Sequence, residues 1–177
     1  SVRFGNALTI NGRSWPWTER IHAVVGDTVR WRVINATGRP HPMHLHGAFF
    51  RVDSKGTQFS DTTYASDERR LVVTEEMFAR QTMLVSWAPV RPGRWLFHCH
   101  INFHVSATDA RLVPAPHGDH DEMSSDPTLH MAGLVLGIDA TLPAGATGEE
   151  RRISPRRLDL WAQEGPKRGR ADRTLSF

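Results

Sequence analysis

Histidines and the single cysteine carry the chemistry of this sequence. Ten histidines are present, and six of them fall into two short segments, 41–47 (HPMHLHG) and 98–104 (HCHINFH). The second segment contains the only cysteine, Cys99. Imidazole and thiolate ligands together suit copper, zinc or iron. A metal site is therefore the first functional hypothesis, whereas the isolated His22 fits an ordinary surface or core histidine.

Strand geometry divides these ligands between two sites. Neighbouring side chains of an extended chain point to opposite faces, so Cys99 faces one way while His98 and His100 face the other. The same parity puts His44 and His46 on one face, whereas His41, just before Pro42, is free to turn toward the other. One site would then use His41, Cys99 and His104, and the second would use His44, His46, His98 and His100. Two histidines and one thiolate are the ligand set of a blue-copper electron-transfer centre. The four remaining clustered histidines would gather at a second metal cluster.

Short β-strands must position both groups. Apolar and polar residues alternate over 28–34, and β-forming residues dominate 82–87, 93–97 and 134–138. Glycine and proline turns separate these stretches, and no apolar helical periodicity longer than about three turns is present. The pattern favours an all-β antiparallel sandwich over an α/β fold. We expect Trp31, Trp87 and Trp95 in its core.

Two segments interrupt the strand pattern. Residues 106–130 are polar and contain the run HGDHDE, which predicts a long surface loop. Residues 141–155 are typical of a linker, and residues 157–162 alternate again like a new strand. We therefore expect a domain over 1–140, a linker over 141–155, and the truncated start of a further β-domain or a tail over 156–177. A sequence cut from a longer protein is the expected explanation.

Composition excludes several classes of function. Residues 149–177 hold eight basic and five acidic side chains, which account for the whole formal charge of +3. Acidic residues flank the arginine run at 151–157 and no stacking aromatics are interleaved in it, so nucleic-acid binding is not expected. No run of eighteen apolar residues predicts a membrane span, and one cysteine allows no disulfide within the chain. No secretory leader is visible, which leaves a removed or an upstream signal open.

The two histidine segments resemble the paired copper-binding signatures of the multicopper oxidases, a family that includes the laccases. The likeness covers roughly residues 5–140, including the strand opening at 26–29 and the approach to the cysteine at 91–95. It implies a cupredoxin-like Greek-key β-sandwich that carries the type 1 copper. By position in the motifs, it implies type 1 ligands at His41, Cys99 and His104, a type 2 ligand at His44, and type 3 ligands at His46, His98 and His100.

The resemblance also implies an activity. A small reducing substrate would give electrons one at a time to the type 1 copper, and Cys99 with His98 or His100 would pass them to a trinuclear copper cluster that reduces O2 to water. The family holds that cluster with eight histidines, and this chain has four in the motifs. A second cupredoxin domain or subunit would supply the other four, a homotrimer being one such assembly, so we expect the isolated chain to be inactive as an oxidase. Family habit implies a periplasmic or extracellular location.

The axial position of the type 1 site departs from the family pattern. A methionine usually follows the last motif histidine after four residues, where this chain has Asp109, and a carboxylate is a poor substitute for a thioether. Met131 begins a strand that resembles the family's closing strand, which implies an insertion of 22 residues and makes Met131 the axial candidate. Two alternatives stay open: Met131 is a core residue beside an empty axial position, or Met123 takes the position.

Other functions compete with an oxidase. A cupredoxin that only transfers electrons has no need of His98 and His100. Copper nitrite reductase shares the fold, but its cysteine is not normally flanked by histidine on both sides. A zinc-binding structural module explains clustered ligands but not their opposite faces. The substrate, whether a phenol, an aromatic amine or a metal ion, is not predictable from the sequence, although the chain is too poor in methionine to favour cuprous ion.

Overall fold

The structure is a computed structural model that describes residues 7–106 and 131–146 and the backbone of 174–176. Its strands form two sheets. The strands are β1 Arg20–Val24, β2 Val29–Ile34, β3 His41–Leu45, β4 Phe50–Thr57, β5 Asp61–Thr63, β6 Arg70–Val72, β7 Thr74–Met77, β8 Gln81–Trp87, β9 Gly93–Cys99, β10 Val135–Thr141 and β11 Thr174–Ser176. A short 3-10 helix spans Asn102–His104 directly after β9.

The first sheet contains both histidine segments. Its strand order is β1-β10-β9-β3-β7. β3 pairs antiparallel with β9, so that Met43 lies opposite Cys99 and His44 lies opposite His98. A further backbone hydrogen bond runs from the amide of His100 to the carbonyl oxygen of Pro42 over 2.7 Å. This pairing brings two segments that are more than fifty residues apart in the chain into direct contact.

The second sheet closes the sandwich from the other side. Its order is β11-β2-β8-β4-β5, with β6 paired to β4. β2, β4 and β8 are antiparallel neighbours, and the register of β4 shifts between Val52 and Ser54. All five residues from Phe50 to Ser54 are buried, so this strand is covered on both of its faces.

Alternate residues from both sheets form the core. Trp31 lies 5.0 Å from both Trp87 and Phe97, measured between ring centroids, and all three are buried. Trp95 is half-buried and packs against this core from its edge. Two packed, largely antiparallel sheets confirm the predicted cupredoxin-like β-sandwich.

The predicted domain boundaries are only partly within the described residues. β10 ends at Thr141, beside the predicted end of the domain at residue 140. Most of the 106–130 segment, of the linker and of the region 156–177 lies outside the described residues, and the second domain stays a prediction. Three residues of that last region, 174–176, pair in parallel with β2 at the edge of the second sheet. Within the described ranges, no helix has the length and apolar character needed to cross a membrane.

Candidate metal centres

β3 and β9 and the short helix position the first group of candidate ligands. His41 opens β3 and Cys99 ends β9, and both side chains are fully buried. His104 is the last residue of the helix and is 2% exposed. The structure thus brings together the three residues that were predicted for the first site.

The three donor atoms form a compact triangle. Nδ1 of His41 and Nδ1 of His104 lie 3.2 Å apart, and Sγ of Cys99 lies 3.6 Å from the first nitrogen and 3.4 Å from the second. The point equidistant from all three atoms lies about 2.0 Å from each, which is close to the length of a metal–imidazole bond in proteins. Two imidazole nitrogens and one thiolate at this spacing fit a single copper ion with trigonal coordination.

A relay of hydrogen bonds orients the ring of His41. Nε2 of His41 lies 2.8 Å from Oγ1 of Thr37, and that hydroxyl lies 2.8 Å from Oδ1 of the fully buried Asn35. Because the Thr37 proton can go to an oxygen of Asn35, the ring N–H of His41 donates to Thr37. The lone pair of Nδ1 then faces Cys99 and His104, as metal binding requires. The sequence analysis did not predict a role for Asn35 or Thr37 in positioning His41. Their short distance before His41 in the sequence is the signal that could have indicated it.

Burial and neighbouring charge set the protonation of this group. Burial, helped by the nearby His104 and Arg39, lowers the pKa of His41 from 6.5 to about 4. The pKa of His104 is also lowered, mainly by burial and then by Arg39. Burial raises the pKa of the Cys99 thiol to about 11. Without a metal, the two imidazoles are therefore neutral at pH 7 and the thiol keeps its proton.

The second group lies on the opposite face of the same strands. His44, His46 and His98 offer ring nitrogens that lie within 4.8 Å of one another, and the two Nε2 atoms of His46 and His98 are 2.9 Å apart. The ring of His100 is exposed and lies 5.1 Å from that of His44 and 5.8 Å from that of His98, measured between centroids. All four predicted histidines therefore meet on this face, three of them within reach of one ion.

Hydrogen bonds also fix the second group. Nδ1 of His98 donates to the carbonyl oxygen of Cys99 over 2.7 Å, so its Nε2 carries the lone pair that faces His46. Nδ1 of His44 lies 2.7 Å from the hydroxyl of Thr74 on the neighbouring strand. Burial lowers the pKa of His98 to about 4 and also lowers the pKa values of His44 and His46. These imidazoles are neutral at pH 7 and able to bind metal.

The segment that closes the first site is held by backbone hydrogen bonds. Ser106 and Met131 form an isolated β-bridge. The amide of Leu134 donates to the carbonyl oxygen of His104 over 3.1 Å, and the carbonyl oxygen of Leu134 accepts from the amide of Cys99 over 3.1 Å. Leu134 is fully buried, while Met131 is half-buried. Leu134, which the sequence did not single out, is thus fixed between two of the three ligands.

The other candidate residues lie elsewhere. His22 is exposed on β1, two strands away from β9 in the first sheet. Asp109, Met123 and the histidines of the acidic run fall outside the described residues.

A cleft of about 560 Å³ opens beside the first site. Both His41 and His104 contribute to its wall, and the remaining described wall comes from two short segments and one aromatic residue: Ala7, Leu8, Thr37, Gly38, Arg39 and Phe103. His41 is fully buried and His104 is 2% exposed, so among the described residues the cleft approaches the buried triangle from the side of these two imidazoles.

Comparisons with known proteins agree with this arrangement. Residues 2–115 match the family model described as multicopper oxidase. Laccase-5 of Trametes villosa is 39% identical over 75 residues, covering 42% of this chain and 14% of that protein. The laccase of Cryphonectria parasitica is 34% identical over 132 residues, covering 60% of this chain and 22% of that protein. The chain therefore spans well under a quarter of the length of these relatives.

A solved structure supports the fold independently. The blue copper oxidase from Nitrosomonas europaea superposes with a TM-score of 0.56 and 23% sequence identity, covering 76% of this chain and 35% of that one. At that identity the likeness concerns the fold. The family match extends over most of the chain and includes both histidine segments, and from it we conclude that this chain belongs to the multicopper oxidase family.

Proposed function

We propose that this chain is the type 1 copper domain of a laccase-like oxidase. The observation that carries the proposal is the position of Cys99 between two groups of histidines. Its thiol belongs to the buried triangle with His41 and His104, and its carbonyl oxygen accepts a hydrogen bond from His98 of the opposite group. One residue therefore joins the two candidate metal centres.

The residues of the chain have distinct tasks in this function. His41, Cys99 and His104 would hold the type 1 copper, which supplies a one-electron acceptor when bound. The relay through Thr37 and Asn35 holds the ring of His41 in the tautomer that presents Nδ1 to the metal. An electron would leave this centre through the few bonds of Cys99 and then through His98 or His100.

Two residues compete for the axial position of that centre. The family resemblance favours Met131, across an insertion. The backbone geometry supports Leu134, which is fixed between His104 and Cys99, while Met131 pairs with Ser106 further along the segment. If Met131 is the axial ligand, Met131→Leu will shift the visible and paramagnetic spectra of the copper-loaded chain; if Leu134 is the neighbour of the metal, the spectra will stay unchanged.

The second group would form half of a trinuclear copper site. His44 would bind the type 2 copper, and His46, His98 and His100 would bind the type 3 pair. We propose that four further histidines come from another cupredoxin domain or from a neighbouring subunit, as in a homotrimer, and that the completed cluster reduces O2 to water. The isolated chain would then bind type 1 copper but have no oxidase turnover. A periplasmic or extracellular location fits this proposal.

The alternatives explain less of the geometry. A cupredoxin that only transfers electrons would not require four imidazoles on the face opposite its cysteine. A structural zinc site would use one closed set of four ligands, whereas the described ligands fall into two groups on opposite faces of β3 and β9.

The test is to load the purified chain with copper and to measure the copper content together with the visible and paramagnetic spectra. We expect an intense blue thiolate band that Cys99→Ser abolishes and that the control His22→Gln leaves intact. A colourless chain that binds zinc as readily as copper would overturn the proposal and favour the structural zinc module.

A further inference from the structure

The cleft beside His41 and His104 carries a charge. Arg39 is exposed and is the one charged side chain among the described residues that line the cleft. No carboxylate is found among those described lining residues. Within the part of the chain that the structure describes, the wall next to the two imidazoles is therefore positive.

The loop from 35 to 39 holds Arg39 in place. Its carbonyl oxygen accepts from Nδ2 of Asn35 over 2.7 Å, and its amide donates to Oγ1 of Thr37 over 3.2 Å. The same Thr37 hydroxyl contacts His41. One hydrogen-bonded loop thus orients the His41 ring and fixes the backbone of the arginine.

An aromatic side chain also lines the cleft. Phe103 is 51% exposed. Its ring meets the ring of His104 edge to face, with 4.6 Å between centroids. Leu8 adds a further apolar contact to the wall. An aromatic ring that packs on Phe103 would therefore lie next to His104.

We infer that this cleft binds aromatic carboxylates as electron donors, with the ring of the donor packed on Phe103 and its carboxylate paired with Arg39. Arg39 is then the residue that sets specificity for anionic donors over neutral and cationic ones. This inference rests on the proposed function, because the donor matters only if the buried triangle holds copper.

Electrons and protons balance when the donor is a phenol. With copper bound by His41, Cys99 and His104, a phenol that carries a side-chain carboxylate would give one electron to the metal and its hydroxyl proton to solvent, which would leave a phenoxyl radical with the carboxylate unchanged. The carboxylate takes part only in binding. Aromatic amines in their ammonium form and metal cations are disfavoured by the same positive charge.

Binding to the copper-free chain tests the inference without any turnover. The probes are 3-(3,4-dimethoxyphenyl)propanoate, its methyl ester and 2-(3,4-dimethoxyphenyl)ethylammonium, which share a ring and lack an oxidisable hydroxyl. We expect the anion to bind about tenfold more tightly than the ester in calorimetry, as a charge-assisted hydrogen bond predicts, and the cation to bind most weakly. Proton resonances of His41 and His104 should shift on binding.

Two variants of equal net charge locate the effect. Arg39→Gln should remove the difference between the anion and the ester. Arg30→Gln should preserve it, because Arg30 is exposed on β2 of the second sheet, outside the cleft. Equal affinities of all three probes for the unmodified chain, or the same loss in both variants, would overturn the inference.

A second measurement separates this inference from the proposed function. The copper-loaded chain is mixed without oxygen with the corresponding phenols, the 3-(4-hydroxy-3-methoxyphenyl) propanoate and its methyl ester, and bleaching of the blue band is followed. If the chain is blue and both donors reduce it at the same rate, the inferred specificity for anionic donors is wrong, while the proposed type 1 copper function is retained. A chain that forms no blue centre would fail the function itself, while the calorimetry still decides whether Arg39 selects anions.

Discussion

Nδ1 of His98 donates a hydrogen bond to the carbonyl oxygen of the next residue, Cys99, over 2.7 Å. The His98 imidazole belongs to the second group of ligands. Through this hydrogen bond it contacts the backbone of Cys99, whose thiol belongs to the first group with His41 and His104. The contact also fixes the His98 tautomer. The two candidate metal centres are consequently separate in their side chains and linked through one peptide unit.

This relationship predicts that the two centres can be disabled separately. In His98→Gln, the second group loses its buried member, while the triangle around Cys99 keeps all three donor atoms. We expect the copper-loaded variant to keep its blue band and to lose metal at the second group, as measured by absorption and copper content. Loss of the blue band without unfolding, judged by circular dichroism, would contradict the separation.

Thr37 should act as a positioning residue for His41. Thr37→Val keeps the shape of the side chain and removes the hydroxyl that accepts from Nε2. Because loss of such an outer hydrogen bond typically costs about 10- to 100-fold in metal affinity, we expect copper to bind correspondingly more weakly and the paramagnetic spectrum to broaden. Thr37→Ser retains the hydroxyl and should restore both. An unchanged spectrum in Thr37→Val would rule out the role.

Copper binding at the triangle should release a proton. The pKa of the Cys99 thiol is raised to about 11 by burial, so the thiol is protonated at pH 7, whereas the lowered pKa values of His41 and His104 leave their imidazoles neutral. Binding as a thiolate therefore releases about one proton per copper ion. Calorimetry in two buffers of different ionisation enthalpy measures this number. In Cys99→Ser we expect almost none, and an equal release there would show that the thiol is not a ligand.

The metal-free chain should lose stability in mild acid. The pKa values of His41 and His98 fall from 6.5 in the unfolded chain to about 4 in the folded one, so the unfolded state binds more protons between these values. Stability is present above pH 6.5 and is lost as the pH falls toward 4. We expect a loss of about 4 kcal/mol between pH 7 and pH 5, about 2 kcal/mol for each of the two histidines, measured by urea unfolding.

A variant tests the origin of that loss. His98→Gln removes one of the histidines with a lowered pKa and should flatten the dependence of unfolding free energy on pH. Carboxylates titrate mostly below this window, so they do not mask the comparison. A slope that is identical in the variant would show that His98 does not contribute.

Gly47 should be required for the packing beside His46. Its φ is +77°, and a Cβ there would overlap the indole ring of Trp95. Gly47→Ala adds left-handed backbone strain to a steric clash, so we expect a loss of about 2–4 kcal/mol in unfolding free energy. Gly12 has a similar φ of +81° with open space around it. Gly12→Ala should therefore lower the free energy of unfolding by only about 1–2 kcal/mol. Equal losses in the two variants would show that the clash with Trp95 does not contribute.

Much of the sandwich was predictable from alternating residues. The stretches 28–34, 82–87, 93–97 and 134–138 correspond to β2, β8, β9 and most of β10. β4 was not predicted, because Arg51 and Asp53 interrupt its apolar pattern. In the fold both are fully buried, with Nε of Arg51 2.5 Å from Oδ1 of Asp53 and the hydroxyl of Ser86 donating to the same carboxylate. Only the tertiary pairing of β4 with β8 makes such burial possible.

The grouping of the candidate ligands followed only partly from parity, because His104 has the parity of His98 and joins Cys99 through the short helix after β9. Alternation along β9 separates Cys99 from His98, and the structure places them accordingly on different faces. The orientation of His41 was not predictable, because it depends on Thr37 in a turn whose path the sequence does not specify. The position of Leu134 was likewise not predictable, because it depends on backbone hydrogen bonds to Cys99 and His104, which lie far away in the chain.

The Ser106–Met131 bridge has a consequence for how this protein can change. The two ends of the segment between these residues are hydrogen-bonded neighbours, with the amide of Ala132 donating to the carbonyl oxygen of Val105 over 3.0 Å. Doubling the length of a loop whose ends already meet adds only about 0.6 kcal/mol of closure entropy. The backbone hydrogen bonds of His104 go to Ile101 and Leu134, which lie outside that segment. Evolution or a protein engineer can therefore exchange peptides at this point, directly beside a metal centre, without moving a ligand.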